Sequence, residues 1–262
     1  MPAARGGSST ICAGVLPSAV TRCRLGTMAP LHRPSPSGAR AWIRELSGLL
    51  MPVQCCGCGR WDEVVCAQCR EDLSAPPQWR TIDGCEGEPV GLWAIGAYEG
   101  TLRRLVLAAK HDPRVDLAQL AGLVGAALGN GLAMDLRWGT REAVVVPMPS
   151  PRGRERTGRL PALVTAHALA SSLAAAPTGP STASVRSCLR LRRSSRGQAG
   201  RSGAQRRAGR AGTMRVGEPG VVGPAVPYVL VDDVVTTGAT VREAQRVLGG
   251  TPVAVAAWAD VR

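Results

Sequence analysis

Apolar positions along this chain follow two rhythms. Short, largely uninterrupted apolar runs occur at 90–97 (VGLWAIGA), 143–146 (AVVV) and 228–231 (YVLV). Runs of that length and β-branched content predict strands buried on both faces. Between them the spacing becomes helical. Leu102, Leu105, Val106 and Ala109 share one face of a helix predicted over 98–114, with Arg103 and Arg104 turned outward. Alanine- and leucine-rich stretches predict further helices over 117–134, with a break near Gly129 and Gly131, and over 160–176. Val241, Ala244, Val247 and Leu248 align one face of a helix over 239–248, and 185–191 reads as one more short strand. His111 reads as a solvated loop residue and His167 as a helix residue. Trp93 and Trp258 read as core. Alternating strands and helices predict an α/β fold, a parallel sheet with helices on both faces. Ligands of such sheets sit beyond the carboxyl ends of the strands, where the loops after Val146 and Val231 both lie. No window approaches ~18 uninterrupted apolar residues, so no membrane span is expected.

Charge divides the chain more sharply than hydropathy does. The net charge is +13, yet residues 156–217 hold twelve arginines and no acid, and residues 1–44 hold six and no acid. The remainder carries fourteen cations against nineteen acids, so a mildly acidic body is expected with two basic segments attached. Arginine supplies 31 of the 32 basic residues, Lys110 being the exception, and such a bias also follows from a GC-rich coding sequence. Residues 1–40, rich in Ser, Pro, Gly and Arg without a sustained period, read as a disordered tail without the order of a secretory signal. A short amphipathic helix over 42–50 (WIRELSGLL) follows, ended by Pro52.

The residues after the 228–231 run carry the densest chemistry. Asp232 and Asp233 stand at the strand end, and Thr236, Thr237, Gly238, Ala239 and Thr240 lead into a helix. A tight loop between strand and helix aims backbone N–H groups and a helix N-terminus at an anion. The three threonine hydroxyls add donors, and Gly238 permits close backbone approach. A phosphate suits that cradle, and the acid pair suits sugar hydroxyls or a hydrated magnesium ion. A plain capped turn is the alternative, with the threonines satisfying helix N–H groups, but it leaves two adjacent acids unexplained.

Cys55 and Cys58 form one C-x2-C pair, and Cys66 and Cys69 a second, seven residues on. Two such pairs make the usual tetrahedral zinc set, with a spacer shorter than the common ribbon. Cys56 is a first ligand only if the knuckle tightens. A disulfide framework is disfavoured by the lack of a secretion signal and by the scatter of Cys12, Cys23, Cys85 and Cys188. With no open coordination position expected, the zinc would be structural, a staple for a segment too short to build its own core.

The order of these pieces is similar to that of one family. Two acids, a spacer and T-T-G-x-T after an apolar strand resemble the phosphoribosyl-pyrophosphate (PRPP) loop of type I phosphoribosyltransferases. The paired C-x2-C ahead of it, Tyr98-Glu99-Gly100 with an arginine-bearing helix and Lys110, V-P-M-P from Val146 to Pro149, and Gln198-Ala199-Gly200 with Arg206 together resemble the competence protein F (ComF) family. The resemblance spans roughly 46–262. It departs from the family pattern at Arg154, Glu155 and Arg156, at Arg201 where a leucine is expected, and at Gly209 where an asparagine is.

Composition gives the disordered tail over 1–40, and the resemblance implies, after it, a short helix and a four-cysteine zinc-binding module over 41–89 and a phosphoribosyltransferase-like domain over 90–262. Asp232 and Asp233 would contact the ribose hydroxyls, and residues 236–240 the 5′-phosphate. A pyrophosphate loop would contain Pro147, Pro149, Arg152, Arg154 and Arg156, Lys110 would complete a family motif, and Gln198 and Arg206 would lie on a hood that orders over ligand. The implied ligands are PRPP or a nucleoside 5′-phosphate with magnesium, and the implied place is the bacterial cytoplasm, in DNA uptake or use of foreign DNA. Two classes stay open. One is a transferase that breaks the C1–O bond of PRPP and joins the ribose to a nitrogenous acceptor. The other is a non-catalytic sensor or scaffold, partnered by single-stranded DNA or DNA-uptake proteins. Aromatic platforms for stacking bases are scarce, with no Phe and two Tyr in the chain.

Overall fold

A computed structural model describes residues 53–138, 142–192, 212–217 and 226–262. The predicted tail and helix over 1–50, and Gln198 and Arg206, lie outside the described residues. In chain order the elements are α1 (Ala67–Leu73), β1 (Gln78–Asp83), a 3-10 turn (Cys85–Gly87), β2 (Pro89–Ala97), α2 (Gly100–His111), α3 (Leu117–Asp135) and β3 (Glu142–Pro147). They continue as α4 (Arg152–Thr157), α5 (Pro161–Ala175), β4 (Thr182–Val185), β5 (Leu189–Leu191), β6 (Met214–Val216), β7 (Tyr228–Val235), α6 (Ala239–Leu248) and β8 (Ala254–Asp260). Six strands form one sheet in the order β1-β2-β8-β7-β3-β4, and β5 and β6 form a separate antiparallel ribbon. Every neighbour in the large sheet pairs parallel except β1, which runs antiparallel along the edge of β2. The fold is therefore α/β with a mostly parallel sheet, as the alternating pattern predicts.

The all-apolar strands are covered on both sides. Along β7, Val229 and Val231 enter one buried cluster while Tyr228 and Leu230 enter the other. Ala143 and Val145 alternate in the same way with Val144 and Val146 along β3. Helices α2, α3 and α5 cover the first face; α6 and the β5–β6 ribbon cover the second. Trp258 is fully buried and its indole N–H donates to Thr165 Oγ1 at 2.7 Å. Trp93 is buried too and donates to Asp135 Oδ2 at 2.7 Å. Residues on both sides of position 90 feed one core: β1 hydrogen-bonds to β2, and Cys55, Cys66, Cys69 and Leu73 share a cluster with Leu105, Val106 and Trp258.

Three local expectations are corrected. The helix over 117–134 has no break near Gly129; α3 runs unbroken for 19 residues. Its glycines are contact points, because a Cβ on Gly125 would stand 2.5 Å from Ala168 Cβ, and one on Gly129 would stand 2.8 Å from the Leu169 carbonyl oxygen. The missing side chains let α3 and α5 approach closely, and Ser172 Oγ donates across to Asn130 Oδ1 at 2.8 Å. The proline- and arginine-rich stretch after β3 contains a helical turn and a half, α4. The single strand over 185–191 is two: β4 in the large sheet and β5 in the ribbon. With mean hydropathy 1.4, α3 is long and apolar enough to cross a membrane, but half of that stretch is buried inside this fold. Replacing Gly125 with Val is expected to pry α3 from α5 and cost about 1–3 kcal/mol, the usual range for overpacking, read as a lower midpoint in thermal unfolding.

Candidate functional site

The carboxyl ends of β3 and β7 and the last turn of α2 converge on a cavity of about 430 Å³. Strand β7 runs on to Val235, so Asp232 and Asp233 lie within it, with Val234 and Val235 following them. Backbone hydrogen bonds hold both carboxylates. The Asp233 N–H donates to Asp232 Oδ1 at 2.8 Å, and the Val234 N–H to Asp233 Oδ1 at 3.0 Å. The Lys110 ammonium stands 2.7 Å from Asp233 Oδ2, and Arg154 Nη1 stands 3.7 Å from the same oxygen. The two acids are thereby driven apart electrically. Burial, reinforced by the neighbouring charge of Asp233, pushes the Asp232 carboxyl well above its ordinary range. Burial acts on Asp233 as well, but the charge and hydrogen bond of Lys110 outweigh it and hold that carboxyl below its ordinary range. The site thus pairs a carboxyl that holds its proton more readily, Asp232, with one that ionises more readily, Asp233.

The loop after β7 bends through Thr236 and Thr237 into α6, whose N-cap is Gly238 with φ +67°. A side chain there would meet the left-handed penalty of about 1–2 kcal/mol. Thr236 and Thr240 line the cavity. Ala239 opens the helix, placing its backbone among the free N–H groups of the first turn. On the opposite side Pro149, Ser150 and Pro151 face the acid pair, and Pro147 is the last, buried residue of β3. Arg152 begins α4; Arg156 is exposed and does not line the cavity. Of the three arginines expected at the pyrophosphate loop, Arg154 reaches the acid pair.

Lys110 arrives by a route that local spacing does not show. The α2 face of Leu105, Val106 and Ala109 is buried, which fixes the helix, and Arg159 donates to the carbonyls of Ala109 (3.0 Å) and Val115 (3.1 Å) across its end. From the last turn of α2 the lysine reaches Asp233. His111, one residue on, is exposed as expected, but it is the last residue of α2 and not a loop residue. Unforeseen in the sequence are the apolar wall residues Met148, Leu191 and Met214, which line the cavity from β3 and the ribbon. An apolar residue inside V-P-M-P at the mouth of the site is the one signal that could have found Met148.

The four cysteines form a second centre. Their sulfurs lie within 4.8 Å of one another, with Cys55–Cys69 at 3.7 Å and Cys58–Cys66 at 3.5 Å. Four sulfurs at zinc-bonding distance in a tetrahedron stand about 3.8 Å apart, so the set could bind a metal such as zinc. The Cys66 N–H donates to Cys55 Sγ at 3.3 Å. Burial opposes ionisation of Cys55, but that bond and neighbouring N–H groups bring its thiol down to about 6. Cys56 lies outside the cluster, and burial pushes its thiol up to about 11. Gly57 lies against α2, where an added Cβ would come within 2.8 Å of Cys69 Sγ and 3.0 Å of Leu105 Cδ2, and Arg104 donates to the Gly57 carbonyl.

No protein-family model matches this chain, and no curated protein matches it.

Proposed function

We propose that this protein binds PRPP or a nucleoside 5′-phosphate in the cavity at the end of β7, as a phosphoribosyltransferase-like protein of the ComF type. The observation that carries the reading is the convergence of the acid pair, the threonine loop with its positive-φ glycine, and the cations Lys110 and Arg154 on one cavity. The 5′-phosphate would take the N–H groups and hydroxyls of residues 236–240. Ribose hydroxyls would bond to Asp232 and Asp233, and Arg154 would meet the pyrophosphate. Two adjacent carboxylates, one already paired with Lys110, are too few oxygen ligands for a dedicated magnesium cage. The ion would arrive with the pyrophosphate, and the acid pair would accept hydrogen bonds from its waters. The cysteine cluster would hold one structural zinc ion. The test is calorimetric titration with PRPP and with nucleoside 5′-monophosphates, with and without magnesium. Saturable one-to-one binding is expected; no heat with any of them overturns the reading.

A second, separate partner is favoured by the ribbon, in keeping with a role in handling incoming DNA. Arg190 of β5 stands directly opposite Arg215 of β6, both exposed, on the side away from buried Leu189 and Met214. Like charges facing each other across a ladder destabilise it unless an anion is shared. Among the described residues neither arginine has an acidic partner. Weak, sequence-independent binding of single-stranded DNA is expected here. Each phosphate contact contributes a slope of about −0.7 in log affinity against log salt. Changing Arg190 and Arg215 to Ser should flatten that slope by about 1.4. An unchanged slope, or no binding at low salt, removes DNA from the reading.

A further inference from the structure

We propose that Glu243 is a positioning residue of this site, holding the β6 wall of the cavity at a set distance from the phosphate loop; the inference rests on the function proposed above. Glu243 lies in α6, one turn beyond the N-terminus that faces the phosphate position. It belongs to the buried face of the helix, with Val241, Ala244 and Gln245, and its side chain is 2% exposed. A carboxylate there costs desolvation unless its oxygens are fully bonded, and here they are. Oε1 accepts the Met214 N–H at 3.0 Å and Arg246 Nη2 at 3.0 Å, and Oε2 accepts Arg246 Nε at 2.8 Å. The Gly212 N–H adds to the set. The carboxylate therefore joins two elements that meet the cavity from different sides. Helix α6 contributes Thr240, and the ribbon contributes Thr213, Met214 and, opposite Met214 in register, Leu191.

The phosphate loop alone settles where a phosphate sits. The gap between that loop and Met214 settles what else fits, because the rest of the ligand extends toward the apolar wall. Losing the tie would leave Gly212 and Met214 with unmatched N–H groups and let the wall drift from α6. A residue that only stabilises the fold would affect all ligands alike. A positioning residue separates a ligand that reaches the wall from one that does not.

Inorganic phosphate and PRPP make that comparison in titration calorimetry. Glu243→Leu removes the acceptor and keeps an apolar volume. It is expected to lose at least tenfold in affinity for PRPP and to change less than twofold for inorganic phosphate. Glu243→Gln, which retains an oxygen for the Met214 N–H, should recover most of the PRPP affinity, and Arg246→Ala should leave it within threefold of wild type. If Glu243→Leu does not fold, Glu243→Asp keeps the charge for Arg246 and withdraws the acceptor from Met214, and the same split between ligands is expected. Equal losses for both ligands, or none for either, overturn the inference while the proposed function stands. Wild-type protein that binds inorganic phosphate but neither PRPP nor a nucleoside 5′-monophosphate overturns both.

Discussion

Titrating PRPP into a variant with Asp232 and Asp233 both changed to Asn should give no detectable heat, a loss of at least a hundredfold. The exchanges are isosteric, so the fold should survive, and the consequences at the two positions differ. Asp233 is the ionised partner of Lys110, 2.7 Å away. Its neutralisation frees Lys110 and Arg154 for anions, so inorganic phosphate should bind the variant at least as well as wild type. What weakens is the acceptor set for sugar hydroxyls, since each asparagine keeps one neutral oxygen and presents an NH2 donor in place of the other. Loss of PRPP binding with retained phosphate binding is the signature, and unchanged PRPP affinity would sink the assignment.

Asp232 carries a pH dependence of opposite sense to an ordinary paired acid. Its carboxyl is raised in the folded state by burial and by the charge of Asp233. The folded protein thus holds this proton more tightly than the unfolded chain does. The favourable contribution is complete below the unfolded value and fades as pH rises through the raised one. Asp232→Asn alone should therefore melt no lower than wild type at pH 8, whatever its effect at pH 5. A variant clearly less stable than wild type at pH 8 would show that Asp232 is ionised and fully paired instead.

Chelating a metal held by the four cysteines, or changing Cys66 to Ser, is expected to destabilise the whole described body and not a local knuckle. Cys55, Cys66 and Cys69 are buried in the same cluster as Leu73, Leu105 and Val106. Structural zinc is worth roughly 10–16 kcal/mol in small zinc-binding peptides, while an entire domain is stable by about 5–15 kcal/mol. Even a third of the zinc figure, about 3–5 kcal/mol, would take a large share of that margin. Purified protein should carry about one equivalent of zinc, and chelator should lower a single cooperative melting transition. Two separate transitions, or a metal-free protein that melts unchanged, would contradict this.

What could be read from the chain depended on how locally each feature is encoded. The strand, acid pair, loop and helix from Tyr228 to Leu248 are contiguous, so spacing alone found them, missing only that the strand extends past the acids to Val235. The cysteine cluster was legible for the same reason. Lys110 reads locally as a cation suited to a helix C-terminus; its contact with Asp233 depends on packing across 123 residues of sequence. Residues 254–257 (AVAA) with Trp258 have the bulk of a loosely defined segment, yet they form the fully buried strand β8. Alanines are small enough to lie between two helical layers but carry little strand signal. Gly129 looks like a helix breaker because propensity weighs the backbone and ignores the helix laid against it. Glu243 gave no sign at all, since a charge inside an apolar face makes sense only once the N–H of Met214 stands opposite.

Gly57, set between the cysteine sulfurs and α2, also bears on how such a chain can change over generations. The knuckle is no detachable cassette. A fragment opening at residue 90 would leave Leu105 and Val106 bare and strip β1 from the edge of β2. An exposed apolar face beside an open strand edge is an aggregation hazard. Recombination that imported a different knuckle would also have to import the residues that receive it on α2, Arg104 and Leu105 first among them. The two halves are therefore bound to be inherited, engineered and lost as one piece.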